Sequence, residues 1–202
     1  MSRVLVVNDL ASRIAALDHS RPIRVAVDGV DAAGKTMLAD ELVAPLEQLG
    51  CVVTRISADS FLNPPEIRYR LGRDSAEGFY RDSFDHGAIV AAVMSTTDAG
   101  AVVLIDGIFL LRPELRDLWD FSILVRASFA VTVGRAEVRE TPRLGSVDAV
   151  RDRYARRYVP GQLLYFAEAQ PERHASVIVD NDDVERPLIV PVSSGRGVRD
   201  HD

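Results

Sequence analysis

Residues 29–36 read Gly-Val-Asp-Ala-Ala-Gly-Lys-Thr and fit the pattern G-x-x-x-x-G-K-[ST]. Backbone N–H groups of a glycine-rich turn, aimed by a helix N-terminus, can cradle anionic phosphate oxygens. Gly29 and Gly34 permit backbone shapes and a close approach that a side chain would block. Asp31, Ala32, Ala33 and Met37 lie in or beside the same turn and are expected to line the nucleotide. Lys35 is expected to reach the β- and γ-phosphates as a point charge, and Thr36 to offer its hydroxyl to Mg2+. The pattern implies ATP and Mg2+ chemistry without saying what the chemistry is for.

Three further groups of residues have suitable types. Asp106 ends the apolar run "VVLIDG" and is a candidate second metal carboxylate; an Asp-Gly turn is the ordinary alternative. Asp59, in "SADSF", follows another apolar run and could accept a proton from an attacking hydroxyl, or cap a helix or turn. In "FDH", Asp85 and His86 could hydrogen-bond a polyhydroxyl substrate, or serve as a helix cap and a surface histidine. Asp-Ser-Phe recurs at 59–61 and 82–84, but the two contexts differ and no internal repeat follows. Arg135 and Arg139 are four apart on one helical face, with Arg143 beyond them; they are candidates for a lid that closes over phosphates, against a plain solvated face.

These residues need a scaffold. "IRVAVDG", "CVVTRIS", "AVVLIDG", "FSILVRA" and "SVIVDND" are short apolar runs with the look of buried strands, and helical spacing fills the stretches between them. Leu38, Leu42, Leu46 and Leu49 mark a helix that Gly50 should stop and Pro45 should kink. A leading helix is expected within 1–20, a core over 21–192, and a loose tail over 193–202, all in one domain. "PLIVPV" could add an edge strand, and the long helical region around 146–170 should break near Pro160. Strands alternating with helices imply an α/β fold: a mostly parallel five-stranded sheet covered on both faces, of P-loop NTPase type, with a short lid. Residues 59–87 lack steady periodicity, and a segment this long inside a compact domain is usually functional.

The chain has 202 residues, 47% of them hydrophobic, and a formal net charge of −6, which disfavours a basic nucleic-acid-binding surface. The single cysteine, Cys51, excludes an internal disulfide framework. No apolar run approaches ~18 residues, so no membrane span is expected. The first residues lack the pattern of a secretion signal, and a cytoplasmic location is the expectation.

The string formed by the phosphate loop, "DSF", "FDH", "VVLIDG" and the arginine-bearing helix "GRAEVRE" resembles the uridine kinase / phosphoribulokinase-like group of P-loop kinases, over roughly residues 21–185. The resemblance implies that Asp59 is the catalytic aspartate and that Phe61 belongs to its motif. It also implies that Asp85 and His86 bind ribose hydroxyls, that Asp106 stands where the family has glutamate, and that Arg135 and Arg139 are lid arginines. Two departures matter. Leu62 and Gly87 replace a tyrosine and a proline of the family motifs, and the hairpin that holds a pyrimidine base has no counterpart between "FDH" and "VVLIDG". Residues 62–81, with Arg68, Tyr69, Arg70, Tyr80 and Arg81, are the stretch that could compensate.

The expectation is an ATP-dependent kinase for a small hydroxylated molecule: a nucleoside, or another sugar or vitamin alcohol such as pantothenate or nicotinamide riboside. Self-association is plausible from the family. A P-loop ATPase switch without an acceptor is the competing class, although the Asn-Lys-x-Asp motif of a GTPase is absent. A nucleotide-binding fold without activity is a third reading, opposed by the intact Lys35, Thr36 and Asp59.

Overall fold

The structure is a computed structural model that describes residues 2–192; the expected loose tail lies outside them. α1 (Arg3–Ala15), β1 (Ile23–Gly29), α2 (Lys35–Gln48) and β2 (Val52–Ser57) come first. α3 (Pro65–Arg68), α4 (Ala76–Asp82) and α5 (His86–Met94) precede β3 (Ala101–Asp106) and β4 (Phe121–Arg126). α6 (Phe129–Leu144), α7 (Val147–Arg153), α8 (Val159–Ala169) and α9 (Pro171–His174) lead to β5 (Val177–Asp180) and β6 (Leu188–Val190).

The strands form one sheet in the order β2-β3-β1-β4-β5-β6. The first five are parallel, while β6 pairs antiparallel with β5 through Ile178–Val190 and Asp180–Leu188. The sheet therefore has six strands instead of five, because "PLIVPV" supplies the edge. The parallel strands are apolar throughout because helices bury both faces. On one face Val6, Leu10 and Ile14 of α1 and Leu38, Leu42 and Leu46 of α2 pack on Val25, Val27 and Ile123. On the other, Phe79, Tyr80, Ile89, Phe109 and Tyr165 pack on Ala26, Val103, Ile105 and Leu124. The leading helix is thus part of the core, not a forerunner of it.

Two local expectations change. Leu49 is half exposed at the C-terminus of α2, where Gly50 (φ +88°) ends the helix. The long helical region is interrupted earlier than Pro160: Tyr154–Tyr158 form a π-type turn between α7 and α8, and Pro160 sits in the first turn of α8. Such turns insert an extra residue into a helix and are frequent at functional sites.

The order of the sheet determines what meets at its carboxyl edge. β1 delivers the phosphate loop, and β3, its neighbour, delivers Asp106. β2 lies beyond β3, so Asp59 approaches the same edge from the far side of Asp106.

Candidate active site

The phosphate loop is built by close packing that excludes side chains. Gly29 has φ +151°, and a Cβ there would stand 2.2 Å from the Val125 carbonyl oxygen of β4. Gly34 (φ +95°) is the N-cap of α2, and Ala32 also takes a left-handed conformation (φ +58°). The loop is braced from three directions. Gln162 Oε1 accepts from Asp31 N at 2.8 Å, Asn181 Nδ2 donates to Ala33 O at 2.7 Å, and Arg135 reaches Ala32 O at 3.4 Å. Lys35 is buried, and its Nζ donates to Val30 O at 2.8 Å. Burial lowers its pKa, against the opposing pull of Asp31, Asp28, Asp59 and Asp106.

Thr36 Oγ1 donates to Asp106 Oδ2 at 2.5 Å, joining the first turn of α2 to the end of β3. Asp106 is 2% exposed. Its Oδ1 is buried without a hydrogen bond, although Arg55 Nη2 lies 3.0 Å away, off the hydrogen-bonding direction. A hydroxyl and a carboxylate with an oxygen to spare are the hard-oxygen donors that Mg2+ takes, with water and phosphate completing its shell. The residues present fit that ion.

Asp59 sits in a 3-10 turn (Ala58–Phe61) directly after β2 and opens into the same cleft. It is exposed to the cleft's solvent, yet the walls remove enough water to push its carboxyl above the usual range. Lys35 opposes that shift, and the nearby charges of Asp106 and Asp31 add to it. No cation pairs with Asp59 among the described residues, in contrast to Asp31.

The cleft measures about 570 Å³. Its lining combines the phosphate loop, Asp59 and Asp106, the α6 residues Arg135, Arg139, Glu140 and Arg143, and residues from 62–84 and the π-type turn. The three arginines expected to form a lid line the cleft but are occupied. Arg135 Nη2 donates to Asn181 O at 2.7 Å and Asp182 O at 3.0 Å. Arg139 holds Asp31 at 3.0 Å and Glu140 at 2.8 Å, and Arg143 pairs with Glu140 at 2.5 Å.

Sequence reasoning missed two supports. Tyr154 packs inward with Ala136 and Val150, and its hydroxyl donates to Asp31 Oδ2. Arg139 and Lys35 keep the Asp31 carboxyl below its usual range despite burial, so the loop carries a full negative charge. No local signal marks Tyr154, whose partner is 123 residues away. Asp28 is fully buried and accepts from Gly29 N at 2.7 Å, Leu111 N at 2.9 Å and the Tyr165 hydroxyl. It thereby fastens the end of β1 to the turn that follows β3. Its signal was an acid inside the apolar run "IRVAVDG".

Several candidate substrate residues lie elsewhere. Tyr80 is buried among Phe109 and Tyr165, with centroids 5.1 and 5.8 Å away, and does not line the cleft. Phe61 packs on the second core face, and its neighbour Leu62 lines the cleft instead. Asp85 Oδ1 accepts from Ala88 N at 2.9 Å, the helix-cap alternative. His86 Nε2 meets Arg112 Nη1 at 2.8 Å, outside the cleft lining. The cause is a short antiparallel bridge, Leu62–Phe84, with Asn63 N donating to Ser83 O at 2.9 Å. It brings Ser83 and Phe84 to the cleft wall and leaves Asp85 and His86 outside the lining. Asp82, in the second Asp-Ser-Phe, is buried and paired with Arg70 at 2.7 Å, and it holds this segment together.

No protein-family model and no curated protein sequence matches the chain. Solved structures do. A possible uridine kinase from Bacillus stearothermophilus is 18% identical over 85% of this chain and 96% of its own, with a TM-score of 0.65. A putative fructose transport system kinase from Silicibacter sp. TM1040 is 18% identical over 84% and 96%, with a TM-score of 0.66. The chain therefore shares the fold of these two structures, a largely parallel α/β sheet with a phosphate loop after its first strand.

Proposed function

We propose that the chain is an ATP-dependent phosphotransferase that moves the γ-phosphoryl group of ATP to a hydroxyl of a small molecule. The observation that carries this reading is a free carboxylate, Asp59, opening into the same cleft as Lys35 and the Thr36–Asp106 pair. A carboxylate there suits deprotonation of an acceptor hydroxyl, and the acceptor screen below separates that reaction from hydrolysis of ATP by water.

Phosphoryl transfer asks a protein for positioning and positive charge more than for covalent chemistry. The loop amides and Lys35 hold the phosphates. Thr36 and Asp106 would hold Mg2+, which when bound neutralises charge that develops between the β- and γ-phosphates. Asp59 takes the proton of the attacking hydroxyl. Arg135 and Arg139 brace Ala32 and Asp31 and stand within the cleft to stabilise the transferred group.

For the acceptor, a uridine- or cytidine-type nucleoside is one reading. One observation favours the other, a different sugar or vitamin alcohol. Between "FDH" and β3 the chain builds only α5 and a turn, which leaves no hairpin to grip a pyrimidine base. The net charge of −6 supports a small-molecule partner over nucleic acid. No helix among the described residues is long and apolar enough to cross a membrane. The test is ADP release from Mg-ATP with and without a panel of nucleosides, sugars and vitamin alcohols. Release that rises with one acceptor class is expected; equal turnover with and without every acceptor removes the reading.

A further inference from the structure

On the cleft wall built by α3 and the π-type turn, Arg68, Arg73 and Arg157 surround one aromatic ring. Their guanidinium carbons stand 5.2, 4.9 and 5.2 Å from the centroid of Tyr69. Arg68, Tyr69 and Arg157 line the cleft. Arg157 is 3% exposed, a degree of burial that charged side chains rarely reach unless paired. Yet its Nη1 donates only to backbone carbonyls, Arg73 O and Ser75 O, each at 3.1 Å. Arg68 Nε is buried with no hydrogen bond at all. Among the described residues no carboxylate pairs with Arg68, Arg73 or Arg157.

The contrast with the rest of the cleft is the point. Arg139 and Arg143 are matched by Asp31 and Glu140, and nearby Arg153 is matched by Asp74 at 3.3 Å. The chain has 30 acidic residues against 24 basic ones, so carboxylates are not scarce. Burial and the like charge of Arg153 hold the Arg157 guanidinium below its usual range; Tyr158 and Tyr69 oppose that, and the like charge of Arg68 adds to it. Like charges gathered around a low-dielectric wall and left unmatched by any carboxylate are costly. A ligand anion would offset that cost with charge-assisted, bidentate hydrogen bonds. The backbone carbonyls that hold Arg157 belong to the segment before α4, not to the phosphate loop, so this is a second anion position.

We propose that the phosphoryl acceptor is itself an anion: a hydroxyl compound bearing a carboxylate or a phosphate monoester, which Arg68 and Arg157 grip beside Tyr69. This rests on the phosphotransferase reading and names its substrate class. The anionic group anchors one end of the acceptor, and its hydroxyl is presented to Asp59 at the other. Neutral analogues lack the anchor.

The test uses the full chain with Mg-ATP and matched acceptors: glycerol against glycerate and glycerol phosphate, glucose against gluconate and glucose 6-phosphate, uridine against its 5′-monophosphate. Turnover is expected with anionic members, and the carboxylate and phosphate arms separate the two sources. Arg68→Gln, at a partly exposed position, should raise the acceptor KM by about tenfold or more, as loss of a charge-assisted contact does. The KM for ATP should not change. Neutral members turned over as efficiently as their anionic partners, or an unchanged acceptor KM in Arg68→Gln, would overturn the proposal. If no acceptor releases ADP, the phosphotransferase reading fails on its own. Calorimetric titration of the same pairs onto the protein with a non-hydrolysable ATP analogue then decides the anion site: tighter binding of anionic members, lost in Arg68→Gln, sustains it. Equal or absent binding sinks it.

Discussion

Thr36 and Asp106 share a hydrogen bond of 2.5 Å across the base of the cleft, and the second carboxylate oxygen of Asp106 has no hydrogen-bond partner. The pair is one strand apart in the sheet and 70 residues apart in the chain. Replacing Asp106 with Asn removes the charge but keeps the acceptor for Thr36. Asp106→Asn should therefore fold normally while the Mg2+ concentration for half-maximal turnover rises by roughly tenfold or more. A Mg2+ titration at fixed ATP measures this.

Asp59 is the proposed base, and its substitution by Asn should lower kcat by ~10²–10⁴ while ATP binding persists. Burial and the charges of Asp106 and Asp31 raise its carboxyl pKa, and a base must be deprotonated to act. The acid limb of kcat/KM should therefore lie above the ~3.9 of an ordinary aspartate. The same shift has a stability consequence of definite sign. A proton held more tightly in the folded state means that stability is lost as pH rises through the raised value. At neutral pH, Asp59→Asn should melt no lower than the parent, a result that thermal denaturation will confirm or refute.

Arg139 and Asp31 form a pair that the nucleotide must live beside. With Arg139 gone, the Asp31 carboxylate would face the triphosphate with only Lys35, which the phosphates also engage, to balance it. Arg139→Ala should weaken ATP binding by about tenfold, and adding Asp31→Asn should recover part of the loss. Independent, additive effects in that double-mutant cycle would show that the pairing has no role in nucleotide affinity.

Tyr165 and Asp28 join α8 to the end of β1 inside the protein. Tyr165→Phe removes one of three donors from a buried carboxyl group, which should cost ~1–3 kcal/mol in denaturant unfolding. ATP affinity should follow only weakly, since Gly29 N and Leu111 N remain bonded to Asp28.

Much of this was legible in the chain itself, and the limits have physical causes. The phosphate loop, Asp106 and Asp59 could be placed because a strand followed by a polar residue at the sheet's carboxyl edge is a local pattern. Asp85 and His86 could not, because cap and ligand look alike until the Leu62–Phe84 bridge fixes which way the segment runs. Tyr80 offered a polar tip in sequence, but packing against Phe109 and Tyr165 decided its place. Tyr154 and Asp28 depend on partners 123 and 137 residues away, a separation that periodicity does not reach. Arg157 is one of four arginines within 151–158, and nothing local sets it apart; the π-type turn at 154–158 and the cluster around Tyr69 make it a buried one.

The brace behind the phosphate loop also dictates an order of assembly. Asn181 holds Ala33, and Arg3 in turn holds Asn181 Oδ1 at 3.1 Å and the Val184 carbonyl at 2.9 Å, while gripping Glu41 of α2. The two ends of the described chain therefore close on the loop together, across 178 residues. Contacts of such long range are completed only after the intervening chain is ordered. On a ribosome, residues 29–36 emerge early but wait for residue 181 before they are backed. Shortening the chain to remove its first helix would leave a loop with the right letters and a missing abutment.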